Sequence, residues 1–174
     1  MRGRSPPRDA NESKDATTQQ KRPSPTPKAL AVRWLARRDL SRAELVQRLR
    51  RRGIEDDAIE RALDELAAAG FLSDARYAQA VVAQRKGRFG KRAIVHALKE
   101  RGIAAPDAAA ALTQLADGDE LEEAAALWRR RFGTPPADER EKARHVRFLQ
   151  ARGYSLSTAL AVLRRTGQRS DEEA

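Results

Sequence analysis

Apolar residues recur every three or four positions along most of this chain, and the same stretch of pattern occurs three times. Each occurrence leads to an Arg–Gly pair whose glycine is Gly53, Gly102 or Gly153; these glycines are 49 and 51 residues apart. Leucine stands four residues and valine seven residues before each glycine. Such offsets place the apolar side chains on one helical face, and a near-constant period of this size indicates an internal repeat.

The Arg–Gly pairs predict where helices end. A cation in the last turn opposes the helix dipole, and glycine adopts the left-handed conformation just beyond it. We therefore expect Gly53, Gly102 and Gly153, and also Gly70, to be turn residues with positive φ. Helix starts are marked as well: Ser41 and Glu44 have the spacing of a capping box, in which each side chain accepts a hydrogen bond from a backbone amide.

The helices group into three units of three, which predicts an all-α protein. Units of one kind in series, each contacting its neighbour, form an elongated, curved array. We expect a basic, proline-rich tail that cannot bury enough apolar surface to fold, three repeats, and a charged C-terminal tail. The predicted boundaries of these five segments are 1–27, 28–73, 74–117, 118–166 and 167–174.

The amino-acid composition gives the net charge of the chain and indicates the cellular compartment. The formal net charge is +10, and the chain has no cysteine, so disulfide and thiolate chemistry are excluded. We see neither a signal peptide nor an apolar run long enough for a membrane span, and we expect a cytoplasmic monomer. The positive charge is uneven: residues 75–117 carry eight cations and three anions, whereas the outer repeats are nearly balanced. A basic centre predicts a long, negatively charged partner.

The strongest candidate site is a basic loop in the middle repeat. Gly87 and Gly90 interrupt the helical pattern there, and we expect these glycines to expose backbone so that the surrounding cations can adapt to phosphates or carboxylates. An aromatic ring among cations can stack on a base or fill a pocket on a protein. The candidate partner- or DNA-binding residues are Arg85, Lys86, Arg88, Phe89, Lys91 and Arg92.

Catalytic and metal-binding patterns are absent from the sequence. The two histidines, His96 and His145, stand at different offsets from their repeat glycines, and there is no phosphate-binding P-loop, zinc-protease motif or nucleophile elbow. Acidic runs such as residues 55–57 are explained by the preference of helix starts for negative charge. We therefore expect no enzyme activity, no metal and no cofactor.

Three segments resemble the signature motifs of the RecX family, whose members regulate the bacterial RecA recombinase. Residues 35–45 read LARRDLSRAEL, residues 70–78 read GFLSDARYA, and residues 90–94 and 99–103 read GKRAI and KERGI. The resemblance covers about residues 28–166. It implies tandem three-helix units, and it implies that the partner is RecA and its filament on single-stranded DNA. It also implies binding along the filament groove and restraint of strand exchange, ATP hydrolysis and co-protease activity.

Two other functions remain open at this point. Three-helix units resemble helix-turn-helix modules, so the chain could be a non-specific DNA-binding protein. The third helices of the first two repeats, however, offer few side chains that read base edges. The third possibility is a helical scaffold for an unrelated protein.

Overall fold

Helices account for nearly all of the chain that the structure describes, and no strand occurs there. The structure is a computed structural model that describes residues 25–113, 115 and 117–172. The helices are α1 (Pro27–Leu35), α2 (Arg42–Arg50), α3 (Asp56–Ala68), α4 (Asp74–Arg85), α5 (Lys91–Glu100), α6 (Ala105–Leu112), α7 (Asp117–Arg131), α8 (Glu139–Ala151) and α9 (Leu156–Glu172).

Each consecutive set of three helices surrounds its own hydrophobic core. In every set the first and third helices pack against each other, as α1 does on α3, α4 on α6 and α7 on α9. The leucines that stand four residues before the repeat glycines, Leu49, Leu98 and Leu149, are fully buried, one in each core. The repeated sequence pattern therefore corresponds to three repeated cores in an all-α fold, and the extensive interhelical interfaces in the described residues lie within repeats.

The capping box predicted at Ser41 and Glu44 is present at the start of α2, and some other helix starts have side-chain caps as well. Ser41 Oγ accepts a hydrogen bond from the Glu44 amide at 3.1 Å, and Glu44 Oε2 accepts one from the Ser41 amide at 3.0 Å. Ser73 caps α4 in the same way, through a bond from the Arg76 amide. Asp138 caps α8, through a bond from the Glu141 amide at 2.7 Å. Each such cap stabilises a helix by about 1 kcal/mol.

The helix bounds shift several of the segment boundaries expected from the sequence. Helix α1 begins at Pro27 because Thr26 caps it and proline suits the first turn. Helix α6 ends at Leu112, and Asp117, the last residue of the segment expected over residues 74–117, is the first residue of α7. Helix α9 continues past residue 166 to Glu172. Of the tail expected over residues 1–27, residues 1–24 lie outside the described part of the chain.

The Arg–Gly turns of the second and third repeats pack against the repeat before them. Gly53, Gly102 and Gly153 have φ values of 72°, 70° and 88°. A Cβ atom on Gly102 would lie 2.4 Å from Ala43 Cβ in the first repeat, and a Cβ on Gly153 would lie 2.4 Å from Ala93 Cβ in the second. Nothing lies within 4 Å of the same position on Gly53, because no repeat precedes the first.

Both junctions add a hydrogen bond from the start of a neighbouring helix to the carbonyl of the arginine before the glycine. Ser41 Oγ donates to the Arg101 carbonyl at 2.7 Å. The Gly90 amide donates to the Arg152 carbonyl at 2.9 Å. The second junction is closer still, because a Cβ on Gly90 would lie 2.6 Å from the carbonyl carbon of Gly153. The start of a repeat's second helix thus rests on the Arg–Gly turn of the repeat that follows.

Equivalent substitutions at two of these glycines separate backbone strain from junction packing. We expect Gly53→Ala to lower the free energy of unfolding by about 1–2 kcal/mol, the cost of a Cβ in the left-handed region. Gly102→Ala has the same backbone cost, and its methyl group also overlaps Ala43, which adds about 1–3 kcal/mol. Urea unfolding of the two variants measures the difference. Equal losses would show that the junction does not constrain Gly102.

A buried histidine lies in the third core. His145 is 2% exposed, its Nδ1 accepts a hydrogen bond from Trp128 Nε1 at 3.3 Å, and its ring centroid is 3.7 Å from that of Phe132. Burial lowers the pKa of His145, and the nearby charge of Arg144 lowers it further. The imidazole is therefore a neutral core residue in the folded protein at neutral pH.

This burial predicts how stability depends on pH. Below about pH 6.5, the ordinary pKa of histidine, the unfolded chain binds a proton that folded His145 resists, so the free energy of unfolding falls as the pH falls. We expect His145→Gln to flatten the decline between pH 7.5 and 5.5. His96→Gln, whose parent side chain is exposed, is the control and should keep it. Urea midpoints across this range measure the effect, and identical slopes in both variants would contradict it.

Candidate interaction surface at the second repeat junction

The six candidate residues of the basic loop lie together at the junction between the second and third repeats. Helix α4 ends at Arg85, a turn covers residues 86–90, and α5 begins at Lys91. Arg85 and Phe89 are partly buried, whereas the other four side chains are exposed, namely those of Lys86, Arg88, Lys91 and Arg92. The six residues therefore differ in exposure and do not form one uniform exposed loop.

The two glycines of the loop are fixed and do not leave an open, adaptable backbone as we expected. The Gly87 amide donates to Glu123 Oε2 and its carbonyl accepts from Arg130 NH2, both at 3.1 Å. Gly90 is buried against Gly153, as described above. Three of the residues in these contacts belong to the third repeat. The expectation of an adaptable backbone was wrong because contacts with residues far along the chain hold a turn that the local sequence does not constrain.

Phe89 contributes to the junction and is not a displayed aromatic ring. It packs against the core of the second repeat. The Arg85 guanidinium lies 5.1 Å and the Arg152 guanidinium 5.6 Å from its ring centroid, which is cation–π distance. The ring therefore joins a cation of α4 to a cation of the third repeat, and base stacking on Phe89 would require these contacts to break.

An open groove of about 620 Å³ runs along the junction beside Phe89. One wall is α5 and the other is the end of α8 with the turn that follows it. Phe89, Tyr154, Gly153 and three alanines line part of the groove, and the other lining side chains are charged or polar, namely those of Arg85, Arg92, His96, Glu100 and Gln150. Glu100 Oε2 lies 3.5 Å from His96 Nδ1, which places the one carboxylate of this lining beside the imidazole. The groove is thus polar with a basic end.

Sequence reasoning missed two arginines of this surface, Arg130 and Arg152. Both come from the third repeat, which has a nearly balanced charge as a whole. The signal that could have identified Arg152 is the repeat itself, because this residue is the arginine of the third Arg–Gly pair. No signal in the sequence places Arg130 against Gly87.

The described side chains contain no cluster of three or more histidine or acidic residues that could hold a metal ion. Among the described helices, none is long and apolar enough to cross a membrane. The arrangement at the junction can attract and orient an anionic surface through guanidinium and ammonium groups. Guanidinium groups form charge-assisted and often bidentate hydrogen bonds with carboxylates and phosphates.

Fold and surface together define a class: helical-repeat proteins whose tandem three-helix units present a basic face. Family models described as the first, second and third three-helix domains of RecX match residues 28–66, 73–112 and 118–163. The chain belongs to the RecX family, whose curated relatives are named regulatory proteins.

Curated relatives agree on this membership, and a solved structure agrees on the fold. The regulatory protein RecX of Leptothrix cholodnii is 45% identical over 87% of this chain and 96% of its own length. That of Herminiimonas arsenicoxydans is 38% identical over 83% and 95%. The crystal structure of RecX from Lactobacillus salivarius shares the fold, with a TM-score of 0.72 at 20% identity, and covers 82% of this chain and 95% of that chain.

Substitutions of Phe89 test its assignment to the junction. Phe89→Leu retains apolar volume, and we expect it to cost less than about 1.5 kcal/mol. Phe89→Ala removes the packing and both cation–π contacts, and we expect a loss of about 3 kcal/mol or more. Thermal and urea unfolding measure the two. If Phe89→Ala unfolds like the parent protein, the ring is not part of the junction.

Proposed function

We propose that this protein binds RecA and the RecA filament on single-stranded DNA in the cytoplasm and mainly inhibits the filament's activities. Those activities are strand exchange, ATP hydrolysis and co-protease function. The single observation that carries the proposal is membership of the RecX family over all three repeats, joined to a basic surface at the second junction. The names of the relatives indicate a regulatory role, and the choice of RecA as the partner follows from the family resemblance.

The charge of the junction supports an anionic partner surface. Arg88 and Arg92 are exposed and form no salt bridge among the described residues. A nucleoprotein filament offers both protein carboxylates and DNA phosphates, and guanidinium groups bind either in a bidentate manner. The candidate cations belong to the middle repeat, where an elongated molecule would meet the centre of its partner.

The fixed junction gives the proposal its mechanism. Gly87 and Gly90 hold the loop to the third repeat, so the cations of the second repeat keep a constant position relative to Arg130 and Arg152. A preorganised surface binds with less loss of conformational entropy than a mobile loop. A monomer that contacts successive filament subunits through such a surface would hold them together and thereby restrain the filament.

Reversing the two exposed arginines tests the function. We expect Arg88→Glu/Arg92→Glu to abolish inhibition of RecA-dependent ATP hydrolysis on single-stranded DNA, because attraction becomes repulsion at the contact. The matched control is Arg61→Glu/Arg164→Glu, which changes the net charge equally on α3 and α9, at exposed positions away from the loop. It should inhibit almost as well as the parent protein.

Both variants must retain the parent's helicity and melting temperature for the comparison to hold. Retention of full inhibition by Arg88→Glu/Arg92→Glu would show that the junction surface is a solvated face. Failure of the parent protein to bind RecA filaments would overturn the proposed function itself.

A further inference from the structure

The first repeat has a nearly balanced charge, but its charges are spatially separated. Its acidic side chains on α3 pair with a small set of cations. Arg42 NH2 contacts Glu60 and lies 2.7 Å from Asp64 Oδ1, and Arg50 Nε lies 2.7 Å from Asp56 Oδ1. The hydrogen bond from Arg50 lowers the pKa of Asp56. One side of the repeat is thus largely neutralised.

The remaining arginines lie on α1 and α2 or directly after the ends of these helices. If the wheel of α2 is continued at 100° per residue, positions 48, 51 and 52 span about 100° of arc, and the centre of this arc is nearly opposite the midpoint between Arg42 and Arg50. None of the arginines on this side forms a salt bridge within the described part of the repeat. They are Arg33, Arg37, Arg48, Arg51 and Arg52. Glu44, which shares this side, is occupied by the Ser41 amide and lies 3.6 Å from Arg38 NH2.

An indole ring lies beside one of these arginines. The Arg48 guanidinium is 5.7 Å from the Trp34 ring centroid, and Trp34 is only partly buried at the edge of the first core. Arg37 follows Trp34 by three residues, and its amide donates to the Trp34 carbonyl. We call this set, Trp34 with the five arginines, the first-repeat arginine surface.

Comparison of the three repeats shows that Arg52 lacks the packing role of its equivalents in the later repeats. The arginine before the glycine has an internal role in the later repeats: Arg101 donates to the Ala97 carbonyl, and Arg152 lies over Phe89 and Phe148. Arg52, the equivalent residue of the first repeat, is exposed, and the space beside Gly53 is empty. The Arg–Gly turn is therefore covered by the preceding repeat in the second and third repeats and is uncovered in the first.

We propose that the first-repeat arginine surface binds single-stranded nucleic acid, with the arginines on backbone phosphates and a base on Trp34. Arginine forks match phosphate oxygens, and an aromatic face stacks on any base without sequence preference. The Arg48 guanidinium already lies 5.7 Å from the Trp34 ring centroid, so a stacked base would share the indole with this cation or replace it. An acidic protein could also use the arginines, and the response of Trp34 distinguishes it from nucleic acid. The site is separate from the second-junction surface, and its test contains no RecA, so its failure leaves the proposed function intact.

Binding to oligothymidylate tests the site directly. We expect Arg37→Glu/Arg51→Glu/Arg52→Glu to weaken binding by about tenfold or more at low salt. It should also flatten the log–log salt dependence by about 2, since each phosphate contact on a single strand contributes about 0.7. The control is Arg61→Glu/Arg129→Glu/Arg164→Glu, which removes the same charge from exposed positions in the first and third repeats. Equal weakening in both variants would overturn the proposal, because net charge alone would explain binding.

Fluorescence identifies the stacking residue. The chain has two tryptophans, and Trp128 is 1% exposed. We therefore expect oligothymidylate to quench the Trp34 emission of the parent protein and to have little effect on Trp34→Phe, which retains a ring at this position. Poly-glutamate should neither quench nor compete at equal charge concentration. Competition by poly-glutamate as strong as that by oligothymidylate, or unchanged quenching in Trp34→Phe, would overturn the proposal.

Discussion

The fit of the Arg–Gly turns against neighbouring helix starts is the constraint on which the structure depends. Each repeat has its own small core, and the extensive interhelical contacts lie within repeats. The arrangement of the repeats relative to one another therefore depends on short junctions. In these junctions the backbone of one repeat contacts the backbone or an alanine methyl group of the neighbouring repeat. Two independent reasons favour glycine at both Gly102 and Gly153. The backbone has a left-handed φ there, and a Cβ atom would overlap the neighbouring repeat. At Gly53 only the first reason applies.

The same junctions determine which charges face a partner. Arg101 and Arg152 turn inward to a carbonyl or to aromatic rings, whereas Arg52 remains exposed. Junction contacts also fix the basic loop, so that Arg88 and Arg92 project from a constant frame. The same Arg–Gly motif thus contributes to chemically different surfaces in different repeats, because a neighbouring repeat covers the motif in some repeats and not in others. Net charge per repeat does not reveal these differences, because the acidic helix α3 neutralises only one side of the first repeat.

The sequence predicted the fold well because the information is local. The period of the leucines, the Ser41–Glu44 capping box and the left-handed glycines each depend on residues a few positions apart, and the RecX resemblance is confirmed over all three repeats. The candidate site was harder, since its geometry depends on residues far apart in the chain. The contacts of Gly87 with Glu123 and Arg130, and of Phe89 with Arg152, span two repeats. No local pattern distinguishes a buried loop glycine from an exposed one.

Hydrogen–deuterium exchange of the full chain, with and without RecA filaments on single-stranded DNA, tests most directly whether the second junction is the partner surface. The account predicts that filaments slow exchange most at residues 84–92 and at the start of α5, with a smaller effect at the end of α8. Helix α3, whose acidic side chains are paired with arginines of its own repeat, should exchange unchanged. Protection centred on α3 or α9, with none at residues 84–92, would contradict the account.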